Sequence, residues 1–300
     1  MRNAFAEAFY EAARNNEKLA MVVADISAAG SMDKFRAEFP KRFVNTGVAE
    51  QIMIGMCAGM SMRGLKPFAY TIATFALFRP YEFIRDDLAY QNLPVTVVGI
   101  GGGVTYSQLG GTHHAMEDVA IACATPNMRV LAPCDPSEVS AATQWCINNE
   151  DGPVYLRLGK AGEKDISKNA TEPWRYGKAR YLRGGREAAI IGYGPILGLA
   201  MEATDGQDIA VVSVSTLKPL DKDGIGTILR RYPLVVVLEE AVVRGGLGEA
   251  VKSLAYDIGA HCKIATMALK DKFIHKYGSH AEVLEAHGLT SDALKEKLNG

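Results

Sequence analysis

Apolar positions along this chain follow two alternating rhythms. Between residues 3 and 16 they recur every three or four positions, which predicts an amphipathic helix. Residues 19 to 24 are apolar without interruption, which predicts a buried strand. The alternation then repeats. Strands are predicted at 42 to 46, 67 to 71, 94 to 100, 129 to 131 and 154 to 158. Helices are predicted at 50 to 63, 75 to 92, 115 to 124 and 136 to 149, with a short amphipathic turn at 33 to 38. The strand at 94 to 100 carries the β-branched run Val95-Thr96-Val97-Val98 and ends in a loop, Gly101-Gly102-Gly103.

The periodicity stops at residues 161 to 178, a polar stretch containing Pro173. A second, shorter unit starts at Glu187, with strands at 188 to 192, 209 to 214, 234 to 239 and 262 to 267 and helices at 195 to 204, 221 to 231 and 246 to 257. Strands apolar on both faces and alternating with helices predict parallel sheets covered on both sides. The expected fold is therefore α/β, with two doubly wound domains of mostly parallel sheet at 1–160 and 186–300 and a linker at 161–185.

Composition narrows the function. Hydrophobic residues make up 48% of 300, enough for a large core in about two domains. The formal charge is -1 and no basic cluster is interleaved with aromatics, so neither nucleic acid nor membrane is an expected partner. No apolar run is long enough to span a bilayer, and the N-terminus is unlike a signal peptide. Five scattered cysteines without a C-x-x-C pair read as reduced, buried thiols. A cytoplasmic protein is expected.

Glu50 follows a predicted strand and opens a helix of small residues. A carboxyl group between apolar walls is desolvated and inclined to keep its proton, which suits exchange with a basic ring nitrogen. Its plain alternative is a first-turn acid favoured by the helix dipole. Phe75, Phe78 and Tyr81 are three apart, on one face of the next predicted helix. That stripe reads either as core or as a wall for a flat ligand. His113 and His114 follow the next strand, and parallel βα turns open at one edge, where ligands bind. Either histidine could move protons near neutrality or simply point to solvent. His113 and Glu117 have i, i+4 spacing, but no third ligand accompanies them, and no metal site is expected in this chain. Gly192-Tyr193-Gly194-Pro195 with Gly198 departs from a dinucleotide fingerprint and reads better as a plain strand-to-helix turn.

The ordered set Gly47-Val48-Ala49-Glu50-Gln51, Thr74-Phe75, Gly111-Thr112-His113, Pro126-Asn127-Met128, Ala132-Pro133 and Gly245-Gly246-Leu247-Gly248 resembles the C-terminal half of transketolases. The resemblance covers about residues 2 to 287. It implies a pyrimidine-binding domain for thiamine diphosphate, then a transketolase C-terminal domain of structural, dimer-forming role. Glu50 matches the glutamate that bonds the aminopyrimidine, and Phe75, Phe78 and Tyr81 match the aromatic pocket around that ring. Asp25 matches an aspartate near the thiazolium. His113 matches the histidine at the donor's oxygens, which assists proton transfer. Arg2 and Lys160 fall where the family places arginines on the sugar phosphate.

The chain departs from the family pattern at several positions. Leu109 replaces an aspartate that touches a donor hydroxyl. The Gly101–Gly103 loop replaces a phosphate-binding histidine, Ala29 replaces a phosphate-binding serine, and Lys160 replaces an arginine. The chain also contains no Gly-Asp-Gly, the family's magnesium- and diphosphate-binding motif. The resemblance thus implies one subunit of a split transketolase, transferring a two-carbon ketol unit from ketose to aldose. Mg2+ or Ca2+ and the diphosphate would be held by an N-terminal-half partner subunit in an α2β2 heterotetramer acting on an anionic sugar. The alternatives are a pyruvate-using synthase resembling deoxyxylulose-phosphate synthase, the beta subunit of a 2-oxo acid dehydrogenase, or a non-catalytic assembly subunit.

Overall fold

The N-terminal stripe folds as helix α1 (Arg2–Ala13), which buries Phe5, Ala6, Phe9 and Ala13. It leads into strand β1 (Leu19–Val23), buried at all five positions. A strand of that kind needs a helical layer on each face. The computed structural model describes residues 1–25 and 30–299. From residue 30 the chain runs through α2 (Asp33–Glu38), β2 (Phe43–Asn45), α3 (Glu50–Met62) and β3 (Lys66–Ile72). Two short helices follow, α4 (Ala73–Leu77) and α5 (Tyr81–Phe83), then a π-helix at Ile84–Tyr90. Strand β4 (Thr96–Ile100), α6 (Asp118–Ala124), β5 (Arg129–Leu131), α7 (Pro136–Asn148) and β6 (Val154–Leu158) complete the first unit. Its six strands pair in parallel in the order β5-β6-β4-β3-β1-β2.

The second unit comprises β7 (Arg180–Arg183), β8 (Ala188–Gly192), α8 (Leu197–Ala203), β9 (Ile209–Ser213), β10 (Thr216–Lys218), α9 (Lys222–Arg231), β11 (Leu234–Val242), α10 (Leu247–Asp257) and β12 (Lys263–Leu269). Its sheet has the order β12-β11-β8-β9-β7, parallel except for β7. Helices α11 (His280–His287) and α12 (Ser291–Asn299) close the chain. The expected α/β class with two mostly parallel sheets is the observed one.

Four details differ from the sequence reading. The helix expected over 75 to 92 is broken into α4, α5 and the π-helix. Pro80 lies between the first two pieces, and a proline supplies no N–H and clashes with the preceding turn of a helix. The stretch expected as a linker at 161–185 contains β7, which pairs antiparallel with β9. It is also packed, with Trp174 Nε1 donating to Ser215 Oγ at 2.7 Å and Tyr176 stacked on Trp145 at 3.8 Å between centroids. Strand β10 leaves the second unit and joins the first sheet antiparallel to β5. Of the cysteines, Cys57, Cys134 and Cys146 are buried as expected, while Cys123 and Cys262 are only half-buried.

The two units are joined through buried charge. Arg157 on β6 donates from Nε to Asp118 Oδ2 at 2.8 Å and from Nη2 to the Glu240 carbonyl of β11 at 2.8 Å. Tyr155 Oη donates to the same Asp118 oxygen at 2.8 Å. A buried ion pair is sustainable when further hydrogen bonds satisfy its remaining lone pairs and protons, as here. No helix among the described residues is long and apolar enough to cross a membrane.

Candidate active site

Strands β6, β4, β3, β1 and β2 are consecutive in the first sheet. Their C-terminal ends release, in that order, Lys160, the 101–117 loop with His113, Phe75, Asp25 and Glu50. Five neighbouring turns thus bring the expected residues to one sheet edge, the usual position for a ligand in an open parallel sheet. The exits of β1 and β2 are tied together. Asn45 Oδ1 accepts from Asp25 N at 3.0 Å and from Gly47 N at 2.9 Å. Asp25 is exposed and has φ +52°, a left-handed conformation that Asp tolerates better than most residues.

Glu50 is the first residue of α3 and only 3% exposed. Its Oε1 accepts from Arg79 Nη1 at 2.9 Å, so the acid expected between purely apolar walls is ion-paired. Sequence reasoning missed Arg79. Its signal was the following Pro80, where the helix must break and the stripe must end. The Arg79 guanidinium lies 3.9 Å from the centroid of the Phe75 ring, within cation–π range. Phe75 in turn meets His113 edge-on at 5.0 Å, and Tyr106 meets His113 at 6.2 Å. Lys160 Nζ stands 5.2 Å from the Tyr106 ring. Contacts therefore run without a gap from Glu50 through Arg79, Phe75, His113 and Tyr106 to Lys160.

Arg2 joins the far end, its N–H donating to the Lys160 carbonyl at 3.3 Å. Burial raises the phenols of Tyr70 and Tyr106, and the charge of Arg2 opposes that rise on both. Arg2 Nε is buried with no partner among the described residues.

The two remaining aromatics of the expected stripe lie on either side of the break at Pro80. Phe78 packs against the hydrophobic core, and Tyr81 Oη lies 3.1 Å from Thr125 Oγ1. With the helix broken at Pro80, spacing by three does not by itself give these rings a common face.

His113 lies in the turn before α6, with Nδ1 2.9 Å from Thr112 Oγ1. Because α6 starts at Asp118, His113 and Glu117 do not share a helix. Partial burial, and then the charge of Arg79, pull the His113 imidazole below its usual range. Its neutral form, able to accept a proton, is thus favoured at neutral pH. His114 is buried, its Nε2 has no partner among the described residues, and burial pulls it down too.

The glycine loop leaves no room for side chains. A Cβ on Gly101 would meet Tyr106 at 2.2 Å, one on Gly102 would meet Arg157 at 2.5 Å, and one on Gly103 would meet Glu240 Oε1 at 2.4 Å. The place of the histidine expected from the family pattern is therefore filled by these three side chains. Glu240 accepts from Val104 N at 2.8 Å. Leu109, at the rim, is 50% exposed. Ala29 falls outside the described residues.

The residues present fit half of the implied cofactor. A buried carboxylate beside a half-buried aromatic ring, with Thr74 Oγ1 buried and unpartnered among the described residues, suits an aromatic ring bearing nitrogen donors. No group of three His, Cys, Asp or Glu among the described residues could hold a metal ion.

Residues 1–162 match the family model described as transketolase, pyrimidine binding domain. Residues 177–294 match transketolase, C-terminal domain. A protein of Methanocaldococcus jannaschii provisionally named transketolase C-terminal section is 33% identical over 99% of this chain and 95% of its own length. The 1-deoxy-D-xylulose-5-phosphate synthase of Clostridium perfringens strain SM101 is 31% identical over 98% of this chain, which spans only 48% of that synthase. Among solved structures, one described as a split gene transketolase, inactive beta4 tetramer, has a TM-score of 0.87 and 31% identity, covering 99% of this chain and 96% of that one. Transketolase from Campylobacter jejuni shares the fold at a TM-score of 0.81 and 18% identity, over 98% of this chain and 45% of that one. This chain belongs to the transketolase family, with a pyrimidine-binding domain followed by a transketolase C-terminal domain.

Proposed function

We propose that this chain is the C-terminal half of a two-chain, thiamine diphosphate-dependent transketolase working in the cytoplasm. In this reading it moves a two-carbon ketol unit from a ketose to an aldose. Residues 1–160 carry the pyrimidine side of the cofactor site, 161–185 connect, and 186–300 form the second domain. The observation that carries the reading is the continuous edge from Glu50 to Lys160. It supplies in order a buried carboxylate, the Arg79 cation, the Phe75 ring, a neutral histidine, the Tyr106 ring and the Lys160 cation. When bound, the cofactor supplies the carbon nucleophile. Glu50 would hold a proton at the aminopyrimidine ring, Phe75 would cover that ring, and Asp25 would serve the thiazolium side. His113 accepts and returns a proton at the donor's oxygen atoms, while Arg2 and Lys160 hold the anionic end of the sugar. Phe78 and Tyr81 back the wall from the core side.

The diphosphate and its Mg2+ or Ca2+ are assigned to an N-terminal-half partner, since this sequence has no Gly-Asp-Gly. A relative of nearly the same extent, named as a C-terminal section, supports separate halves. An inactive tetramer of four beta chains in a similar split-gene protein supports both self-association and the need for the other half. The proposed active assembly is α2β2.

A second reading is a pyruvate-using synthase, favoured by the 31% identity to deoxyxylulose-phosphate synthase and by Leu109 at the donor side. Mixing the chain with a Gly-Asp-Gly-bearing partner, thiamine diphosphate and Mg2+ decides between the two. Ketol transfer appearing only in the mixture supports the proposal. Turnover by this chain alone overturns the two-chain reading, and turnover of pyruvate but not ketose selects the synthase.

A further inference from the structure

The chain between β12 and α11, residues 270–279, has no regular secondary structure, yet it is fastened at both ends. Lys270 N donates to His287 Nδ1 at 3.0 Å, and Ser279 caps α11 together with Glu282. Between these anchors Phe273 and Tyr277 are 61% and 71% exposed, so their rings add little to the core of the second unit.

This strap lies on the first unit instead. Its Gly278 carbonyl accepts from Ser107 Oγ at 2.8 Å. The Tyr277 ring lies 3.2 Å from where a Cβ on Gly110 would stand, and the Phe273 ring lies 3.4 Å from the same position on Gly111. Both rings therefore rest on bare backbone. Gly110 has φ +73° and ψ −165°, a conformation essentially restricted to glycine.

Gly110 and Gly111 open the turn that ends at His113. The His113 N–H donates to the Gly110 carbonyl at 2.9 Å, the bond that closes a four-residue turn. Thr112, inside that turn, places its Oγ1 2.9 Å from His113 Nδ1. The turn thus sets both the backbone of the histidine and the surroundings of one ring nitrogen.

We propose that Phe273 and Tyr277 are positioning residues for His113: the second domain lays two exposed rings on the Gly110–Gly111 turn and so holds the imidazole where it exchanges a proton with the donor. The proton-handling role of His113 rests on the reading above, whereas the clamp on its turn does not. A domain whose sequence suggests only a structural role thereby acts on the reacting edge.

Two measurements test this. In the chain alone, hydrogen exchange of the His113 amide by NMR reports opening of the turn, because that N–H is bonded to Gly110. The double variant Phe273→Ala with Tyr277→Ala should fold, since both rings are exposed. It should speed exchange at His113 roughly tenfold, with the amides of β9 and the thermal melt unchanged. The swap Phe273→Tyr with Tyr277→Phe keeps the ring carbons that face the glycines and should match wild type. So should Tyr256→Ala, which removes an exposed ring outside the strap. In the reconstituted complex the alanine pair should lower kcat at least roughly tenfold and up to about 10²-fold, the scale of a displaced catalytic group, with KM for the donor little changed. The swap should keep wild-type kcat. Unchanged exchange in the alanine pair overturns the clamp. Faster exchange with unchanged kcat overturns the positioning role. A swap as damaging as the alanine pair overturns ring contact as the cause. A wild-type complex without ketol transfer rejects the reading of the reaction, and the exchange measurement still decides the clamp.

Discussion

Arg79 Nη1 lies 2.9 Å from Glu50 Oε1, with the same guanidinium stacked 3.9 Å from the Phe75 ring centroid. The acid is thus paired with a cation that also covers the aromatic wall. Glu50 is almost fully buried, whereas Arg79 is 44% exposed at its side chain. Removing the arginine therefore strands a buried carboxylate, while removing both charges does not.

The first prediction is a double-mutant cycle on that pair. Arg79→Met should destabilise the chain by about 1–2 kcal/mol, less than a fully buried pair because Arg79 is half in water. Arg79→Met combined with Glu50→Gln should recover most of that loss. Urea denaturation of the four proteins measures it, and additive losses would mean that the two side chains do not interact.

Chemistry at Glu50 gives the second. Glu50→Gln in the reconstituted complex should lose roughly 10²–10⁴-fold in rate, the scale of a general acid–base group. Deuterium exchange at the reacting carbon of the cofactor should slow in parallel. Normal exchange in this variant would return Glu50 to a helix-start acid paired with arginine.

The aromatic positions should separate. Phe75 touches Arg79 and His113, so Phe75→Ala should weaken cofactor affinity with little change in folding. Phe78 packs against the core, so Phe78→Ala should instead cost about 1–3 kcal/mol of stability, somewhat under a full core Phe→Ala change. Thermal melts and cofactor titrations on both variants check this. Equal affinity losses with no melt shift would mean that both rings line the ligand.

The fold, and with it the edge where these residues gather, was legible in the sequence. Strands such as β1 and β4 are buried along their whole length, so uninterrupted apolar runs announced them, and parallel βα turns then placed Glu50, Phe75 and His113 at one edge. What was missed is non-local or too short to carry a period. Strand β10 has three residues, Thr216 to Lys218, and crosses from one unit to the other. The glycine loop is crowded by Glu240, which is 136 residues beyond Val104 in sequence, and no local pattern reports such a contact. Pro80 was visible, but the three-residue spacing of the aromatics masked the break it causes.

Stability should carry a pH signature from Glu240 and His280. His280 is raised, so its contribution is complete below the ordinary imidazole value of 6.5 and is lost as pH rises through its higher folded value. Glu240 is lowered, so its contribution is complete above the ordinary value of 4.5 and is lost as pH falls through its lower folded value. His113, His114 and His287 are lowered, so each contributes stability above 6.5 that is lost on acidification, opposite in sign to His280. Comparison with His280→Gln isolates the pair. The stability gap should be widest between pH 4.5 and 6.5 and should close above that range. A gap independent of pH in denaturant titrations would show that His280 stays neutral.

Donor choice is the last prediction. Leu109 stands half-exposed at the rim where the family pattern has an aspartate, and Tyr106, Arg157 and Glu240 occupy the space a histidine would need at the glycine loop. A polar substrate group facing either position loses its partner, and such a loss changes discrimination strongly. The preferred donor should therefore differ from xylulose 5-phosphate, in the hydroxyl facing Leu109 or in its terminal anion, while remaining anionic because of Arg2 and Lys160. The two departures should also respond differently to repair. Leu109→Asp puts a charge on an open rim and should move preference toward xylulose 5-phosphate. Gly102→His should fail to fold, because its Cβ alone would lie 2.5 Å from Arg157. A donor panel read as kcat/KM, with a melt for each variant, checks both. If wild type already prefers xylulose 5-phosphate by a wide margin, Leu109 and the glycine loop do not set specificity. A folded, active Gly102→His would mean that the loop is looser than its packing indicates.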